Sequence, residues 1–311
     1  MPPTPSQSRQ DSGSRRRGEF PASPEPLSVP VFDSHTHLDL TIQEAGVPGD
    51  GSGDPVDALI EAAAKTGIDR LVQVGVDVPS SRWGADLAAR NEAILAAVAI
   101  HPNEAPLLSD LDEALREIEA LAAQPRVRGI GETGLDTFRT GEDGRRAQED
   151  SFRAHIAIAK RHGKALVIHD REAHRDVLRV LDEEGAPDTV VFHCFSGDAA
   201  MARTCVDAGY VLSFAGPVTF KNAASLREAA ALVPDGQLLV ETDAPFLTPH
   251  PHRGRANEPY CLPWTVRGLA HVRGVSAERV ADSARRTAEA VFGLPSAADA
   301  PSPGAGATRS T

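Results

Sequence analysis

Short apolar runs recur along the chain, and each is followed by a longer stretch with helical spacing. The runs cover residues 29–36, 70–76, 94–100, 127–131, 165–168, 189–192, 210–214 and 238–240. The runs are short and largely apolar, as in Leu-Val-Gln-Val-Gly-Val and Ala-Leu-Val-Ile. Such runs suit parallel strands buried on both faces. Helices are predicted over 55–65, 80–90, 111–123, 145–162, 173–184, 199–208 and 223–232, and two more, 260–273 and 277–292, close the chain. Eight strand–helix alternations in one domain predict an α/β fold of the (β/α)8 TIM-barrel type. An open doubly wound sheet is the competing architecture, but it usually carries a Gly-rich first turn that this sequence lacks. Residues 46–54 hold four glycines without the spacing or the Lys-Ser/Thr of a phosphate loop, so a flexible rim loop is expected there.

Composition sets the limits of the domain. Residues 1–27 and 295–311, rich in Pro, Ser and Gly, are expected to be disordered tails around a barrel domain of residues 28–294. There is no apolar run of about eighteen residues, so no membrane span is predicted. No apolar segment follows Arg15-Arg16-Arg17, so neither a signal peptide nor a twin-arginine export signal is expected. Cys194, Cys205 and Cys261 are odd in number and lack Cys-x-x-Cys spacing. A reduced, cytoplasmic chain with buried thiols, none of them a nucleophile, is the expectation. The net charge is −12. In residues 1–27 four Arg outweigh Asp11, Glu19 and Glu25 by one charge, so the barrel itself is acidic. That argues against wrapping long duplex nucleic acid, which needs a basic surface to release counterions. A phosphate substrate held by metal ions in a local cleft remains compatible, and no obligate protein partner is expected.

The chemistry gathers at the ends of the runs. His35 and His37 stand two apart at the end of the first, and in a strand such residues share a face. The third run ends in His101, the fourth in Glu132, the fifth in His169, the sixth in His193, and the eighth leads into Asp243. In a barrel these ends meet on one face, the face that carries barrel active sites. Packing would place Val, Ile or Leu there, because burying unpaired imidazole or carboxylate is costly. Nitrogen and oxygen donors without thiolate suit Zn, Mn, Mg, Co or Fe. Five or six donors exceed one tetrahedral site, so two divalent metal ions about 3.5–4 Å apart, with Glu132 bridging, are expected. They would turn a bound water into a nucleophile, with Asp243 taking its proton.

The motifs resemble those of the TatD family of metal-dependent hydrolases, within the amidohydrolase superfamily. They are Asp-Ser-His-Thr-His-Leu-Asp (33–39), Ile-His-Pro (100–102), Gly-Glu-Thr-Gly-Leu-Asp (131–136), Val-Ile-His (167–169), His-Cys-Phe-Ser-Gly (193–197), Glu-Thr-Asp-Ala-Pro-Phe-Leu (241–247) and Arg-Gly-Arg-Ala-Asn-Glu-Pro (253–259). The resemblance implies a barrel, a two-metal site (Mg, Mn or Zn) and phosphodiester hydrolysis, usually as a deoxyribonuclease. It implies the metal ligands His35, His37, Glu132, His169, His193 and Asp243, and a substrate phosphate contact for His101; the other reading of His101 is a rim histidine bonded to backbone. Arg253 and Asn257, after the eighth run, either grip a phosphate or brace their loop, and Arg171 is open to the same two readings. Asp33 either orients a ligating histidine or bonds the strand end. His155, His162, His174, His250, His252 and His271 are read as solvated or packed. The sequence departs from the family pattern at Ala99, at Asp170 and in the longer loop after the first run. The expected activity is a 3′→5′ DNA exonuclease acting on DNA ends or short single-stranded nucleic acid. An amide or ester hydrolase of the same superfamily, such as an aminoacyl-tRNA deacylase or a lactonase, uses the same ligands and is the alternative. A non-catalytic metal-binding scaffold is the third reading; it would show a lost ligand, and none is lost.

Overall fold

The computed structural model describes residues 2–3, 20–44 and 53–293. Eight strands form one sheet in sequence order, every neighbouring pair parallel. They are β1 (Val31–Thr36), β2 (Ile68–Val74), β3 (Ile94–Val98), β4 (Val127–Asp136), β5 (Ala165–Arg171), β6 (Val190–Phe192), β7 (Val211–Phe214) and β8 (Leu238–Val240). The ring closes between β8 and β1 through bonds at their ends: Asp243 N donates to His35 O at 2.9 Å, and His37 N to Ala244 O at 2.9 Å. The protein is therefore a TIM barrel, as the alternation predicts.

Helices α1 (Leu38–Glu44), α2 (Pro55–Lys65), α3 (Val78–Arg90), α4 (Leu111–Ala122), α5 (Glu142–His162), α6 (His174–Glu184), α7 (Ala199–Asp207), α8 (Ala224–Leu232), α9 (Leu262–Arg273) and α10 (Ala277–Val291) surround it. Their starts follow local chemistry. Asp54, Asp77, Asp110, Asp198 and Ser276 each accept an amide hydrogen bond from the first turn of the helix they precede. Gly163 and Gly274, in left-handed conformation, end α5 and α9.

Two buried layers follow from strands covered on both faces. Inside the barrel lie Phe32, Val74, Leu95, Val167, Val191 and Leu239, and Val291 and Phe292 join the same cluster from the end of α10. A larger apolar shell lies between strands and helices.

Some boundaries differ from the sequence reading. Helix α1 follows β1 at once, where only a loop was expected; most of the rim loop 46–54 lies outside the described residues. Strands β4 and β5 run beyond their apolar cores, because their polar ends pair with each other: Gly134 with His169, Leu135 with Asp170, Asp136 with Arg171. The tails expected at 1–27 and 295–311 fall largely outside the described residues. Just before β1, Tyr260 Oη donates to Pro21 O at 2.7 Å and Arg267 to Glu25 O at 2.7 Å.

Candidate metal centre

Glu132, on β4, is the hub. Its Oε2 lies 3.4 Å from His35 Nε2 and 3.6 Å from His37 Nε2. Its Oε1 lies 2.7 Å from His169 Nδ1, 3.0 Å from His193 Nε2 and 3.3 Å from His101 Nε2. One carboxylate thus divides five imidazoles into two groups, one on each oxygen. Asp243 completes the first group, with Oδ1 3.4 Å from His37 Nε2 and 3.8 Å from His35 Nε2. The two β1 imidazoles converge as their spacing predicts, Nε2 to Nε2 at 3.2 Å. The six residues predicted as ligands are all brought together, and His101 stands beside them.

The outward-facing nitrogens of three of the rings are held from behind. His37 Nδ1 donates to Val74 O at 3.0 Å, which leaves its Nε2 unprotonated toward the centre when the ring is neutral. His193 Nδ1 meets Glu241 Oε1 at 3.1 Å, and His169 Nε2 meets Asp136 Oδ2 at 3.2 Å. Carboxylates behind imidazoles fix the ring and its tautomer, which is how ligating histidines are usually supported. Neither Glu241 nor Asp136 was singled out from the sequence. The only signal was a second acid inside the motifs that supply Glu132 and Asp243.

The donor set fits a divalent cation. Among the described residues, three groups have ligand atoms within 4.8 Å of one another: His35, His37 and Glu132; His35, His193 and Glu241; and His101, Glu132 and His169. All are imidazole and carboxylate donors suited to borderline or hard divalent ions. His35 Nδ1 and Glu241 Oε2 are buried without hydrogen-bond partners.

Electrostatics ties the cluster together. Burial disfavours charge on His193, yet the carboxylates of Glu132 and Glu241 outweigh it and raise its pKa well above the usual value. Burial likewise opposes the Glu132 charge, and His193 and His101 overcome it, holding that carboxylate well below its usual range. Burial raises Asp243 to about 6 against the pull of His193 and His35. His35 is lowered by burial and by His193.

The centre opens into a cavity of about 480 Å³ on the C-terminal face. His101, Asn103, Arg139, Asp170 and Arg171 line it alongside the cluster. Cys194 lines it too and is only partly buried, unlike Cys205 and Cys261. Burial, with Asp243, Glu241 and Glu132 nearby, raises its thiol pKa well above normal, so it stays protonated. Asp170 accepts from His174 Nδ1 at 2.7 Å.

Other candidates sit elsewhere. Asn257 is buried, and its Nδ2 donates to Thr242 O at 2.9 Å and Phe246 O at 2.5 Å, on either side of Asp243 and Ala244. The Arg253 guanidinium lies over the Phe220 ring, 4.4 Å from its centroid. Among the described residues, Asp33 hydrogen-bonds to Thr242 and to the His35 amide. It receives Thr242 N at 2.9 Å, Thr242 Oγ1 at 2.5 Å and His35 N at 3.3 Å, so it ties β1 to the chain after β8.

Comparison with known proteins shows the family. The family model described as TatD related DNase matches residues 32–293. An uncharacterized metal-dependent hydrolase, TatD, of Mycobacterium tuberculosis is 52% identical over 268 residues, 85% of this chain and 98% of that protein. A protein of Citrobacter rodentium named 3′-5′ ssDNA/RNA exonuclease TatD is 32% identical over 246 residues, 76% of this chain and 92% of that protein. The crystal structure of YjjV, a TatD homologue from Escherichia coli K12, superimposes with a TM-score of 0.76 at 24% identity, covering 85% of this chain and 98% of its own.

Proposed function

The chain belongs to the TatD-related DNase family of metal-dependent hydrolases, and from that membership we propose that it cleaves phosphodiester bonds, acting as a 3′→5′ exonuclease on DNA ends or short single strands. The observation that carries this reading is the division of imidazoles between the two oxygens of Glu132, a donor set that would hold divalent metal where it could activate water. The name of the Citrobacter relative supports the nucleic-acid substrate and the polarity. Bound metal would polarise a phosphoryl oxygen and lower the pKa of a water.

The chain's own residues supply the rest. His35, His37, Glu132, His169, His193 and Asp243 would hold the metal. Val74 O, Asp136 and Glu241 fix three of those rings in the orientation that binding needs. Asp243 lines the cavity with its Oδ1 beside the β1 histidines, and we assign it the proton that the attacking water would release. His101 and Arg139 line the same cavity from neighbouring loops and are assigned the substrate phosphate. Asn257 is assigned the bracing of the Asp243 loop.

The test is a nuclease assay on metal-stripped protein. Mg, Mn or Zn is added back to wild type and to His193→Ala, with a labelled single-stranded oligonucleotide and an acyl ester offered in parallel. Metal is expected to restore oligonucleotide cleavage to wild type alone. Equal activity of the two proteins would overturn the site assignment, and turnover of the ester alone would move the protein to the amide and ester hydrolases.

A further inference from the structure

Four large apolar side chains stand out into solvent among the described residues: Leu107, Leu108, Phe138 and Leu232. Three of them lie in the loops after β3 and β4, the loops that bring His101, Asn103 and Arg139 to the cavity. Phe138 is the most exposed, at 58%. It belongs to neither core cluster, so the barrel gains no packing from it.

The ring is nevertheless held in place. Asp136 Oδ1 accepts the amides of Phe138 at 3.0 Å and Arg139 at 2.8 Å. The other oxygen of the same carboxylate meets His169 Nε2 at 3.2 Å. Thr137 N donates to Arg171 O at 3.1 Å, and Thr137 Oγ1 to Glu172 O at 2.8 Å. The Arg171 guanidinium covers the ring, with Cζ 4.1 Å from its centroid. Arg171 also lines the cavity. One face of the ring is thus backed by a guanidinium and the other is open, on a loop whose backbone is tied to the carboxylate that meets His169.

We propose that Phe138, backed by Arg171, is a stacking platform for a nucleobase at the end of a single strand whose scissile phosphate enters the cavity. The proposal rests on the phosphodiesterase reading given above. Stacking accepts any base, because every base has a π-face, and an unpaired end presents that face without first being unstacked from a duplex. Arg171 over the ring and Arg139 next in the chain both line the cavity, and their charge matches the negative backbone that accompanies the base. The platform therefore selects single-stranded ends without selecting sequence.

The test uses two single-stranded oligonucleotides that differ only at the terminal nucleotide, which carries either a base or an abasic tetrahydrofuran. The full-length metal-loaded enzyme is compared with Phe138→Ala and Phe138→Trp, and the readout is the ratio of kcat/KM for the two substrates. Wild type is expected to prefer the base-bearing end by about tenfold, mostly through KM. Phe138→Ala is expected to bring the ratio close to one, and Phe138→Trp to keep it. A ratio in Phe138→Ala equal to that of wild type overturns the platform, because a merely structural loop residue would lower both rates and leave their ratio intact. Wild type that cleaves neither oligonucleotide overturns the phosphodiesterase reading, and the platform falls with it.

Discussion

Glu241 Oε1 lies 3.1 Å from His193 Nδ1, and the same oxygen receives the Cys194 amide at 2.7 Å. A buried carboxylate at the end of β8 thus fixes both the His193 ring that β6 sends to the centre and the peptide group that follows it. Its charge is kept in spite of burial, by His193 first and His35 after it. Replacing Glu241 by Ala removes the acceptor for both groups and frees the imidazole to turn. Divalent metal affinity, read by calorimetric titration of metal-stripped protein, is expected to fall roughly 10- to 100-fold. Glu241→Gln keeps an oxygen acceptor without the charge and should lie between Ala and wild type. Unchanged affinity in both variants would mean that His193 is positioned by something else.

A second prediction concerns the β4–β5 seam. Gly134 has φ +137°, and a Cβ on it would lie 2.1 Å from His169 O. The residue must therefore be glycine for the strands to approach and for His169 to sit against Glu132. Gly134→Ala is expected to cost about 1–3 kcal/mol in urea unfolding and to weaken metal binding as His169 is pushed aside. Gly141, the N-cap of α5, has no atom within 4 Å of its added Cβ. Gly141→Ser is accordingly expected to stay within about 0.5 kcal/mol of wild type or gain slightly from capping. Equal losses in the two variants would refute the close-approach argument.

These two sites mark where the sequence can be read and where it cannot. The strands of the barrel are legible because most of the buried runs are apolar at nearly every position. The six candidate ligands are legible because each interrupts or follows such a run with imidazole or carboxylate. The extent of β4 and β5 is not legible, since Thr133–Asp136 and Asp170–Arg171 pair through backbone while their side chains look like loop. Helix α1 is hidden for a similar reason: it begins directly after His37, with no spacer to announce it. Asp136 and Glu241 are visible as acids, yet only distance separates an acid that faces a metal from one that supports a ligand from behind. Asn257 shows the converse, an amide whose place in a motif suggests substrate and whose bonds go to Thr242 and Phe246.

The last prediction lies in the shell behind the β3 end. His155, on α5, is fully buried. Its Nε2 accepts the Ile100 amide at 3.0 Å, and its Nδ1 donates to Ser151 O at 2.7 Å. The ring is therefore neutral, and a proton added at Nε2 would face the Ile100 N–H directly. Burial lowers its pKa from 6.5 to about 4, partly offset by the bond to Ser151. Between those two values the unfolded chain binds a proton that the folded chain does not, so the stability due to neutral His155 is complete above pH 6.5 and is lost as pH falls toward 4. Replacing His155 by Leu leaves the Ile100 amide unpaired, a cost of about 1–3 kcal/mol near neutral pH. The same substitution removes the proton linkage. Urea unfolding from pH 7.5 down to 4.5 should therefore show the gap between wild type and variant closing with acid, by at most about 1.4 kcal/mol per pH unit. Parallel stability profiles for the two proteins would show that His155 does not titrate across this range, and that its burial is not what ties the β3 end to acid sensitivity.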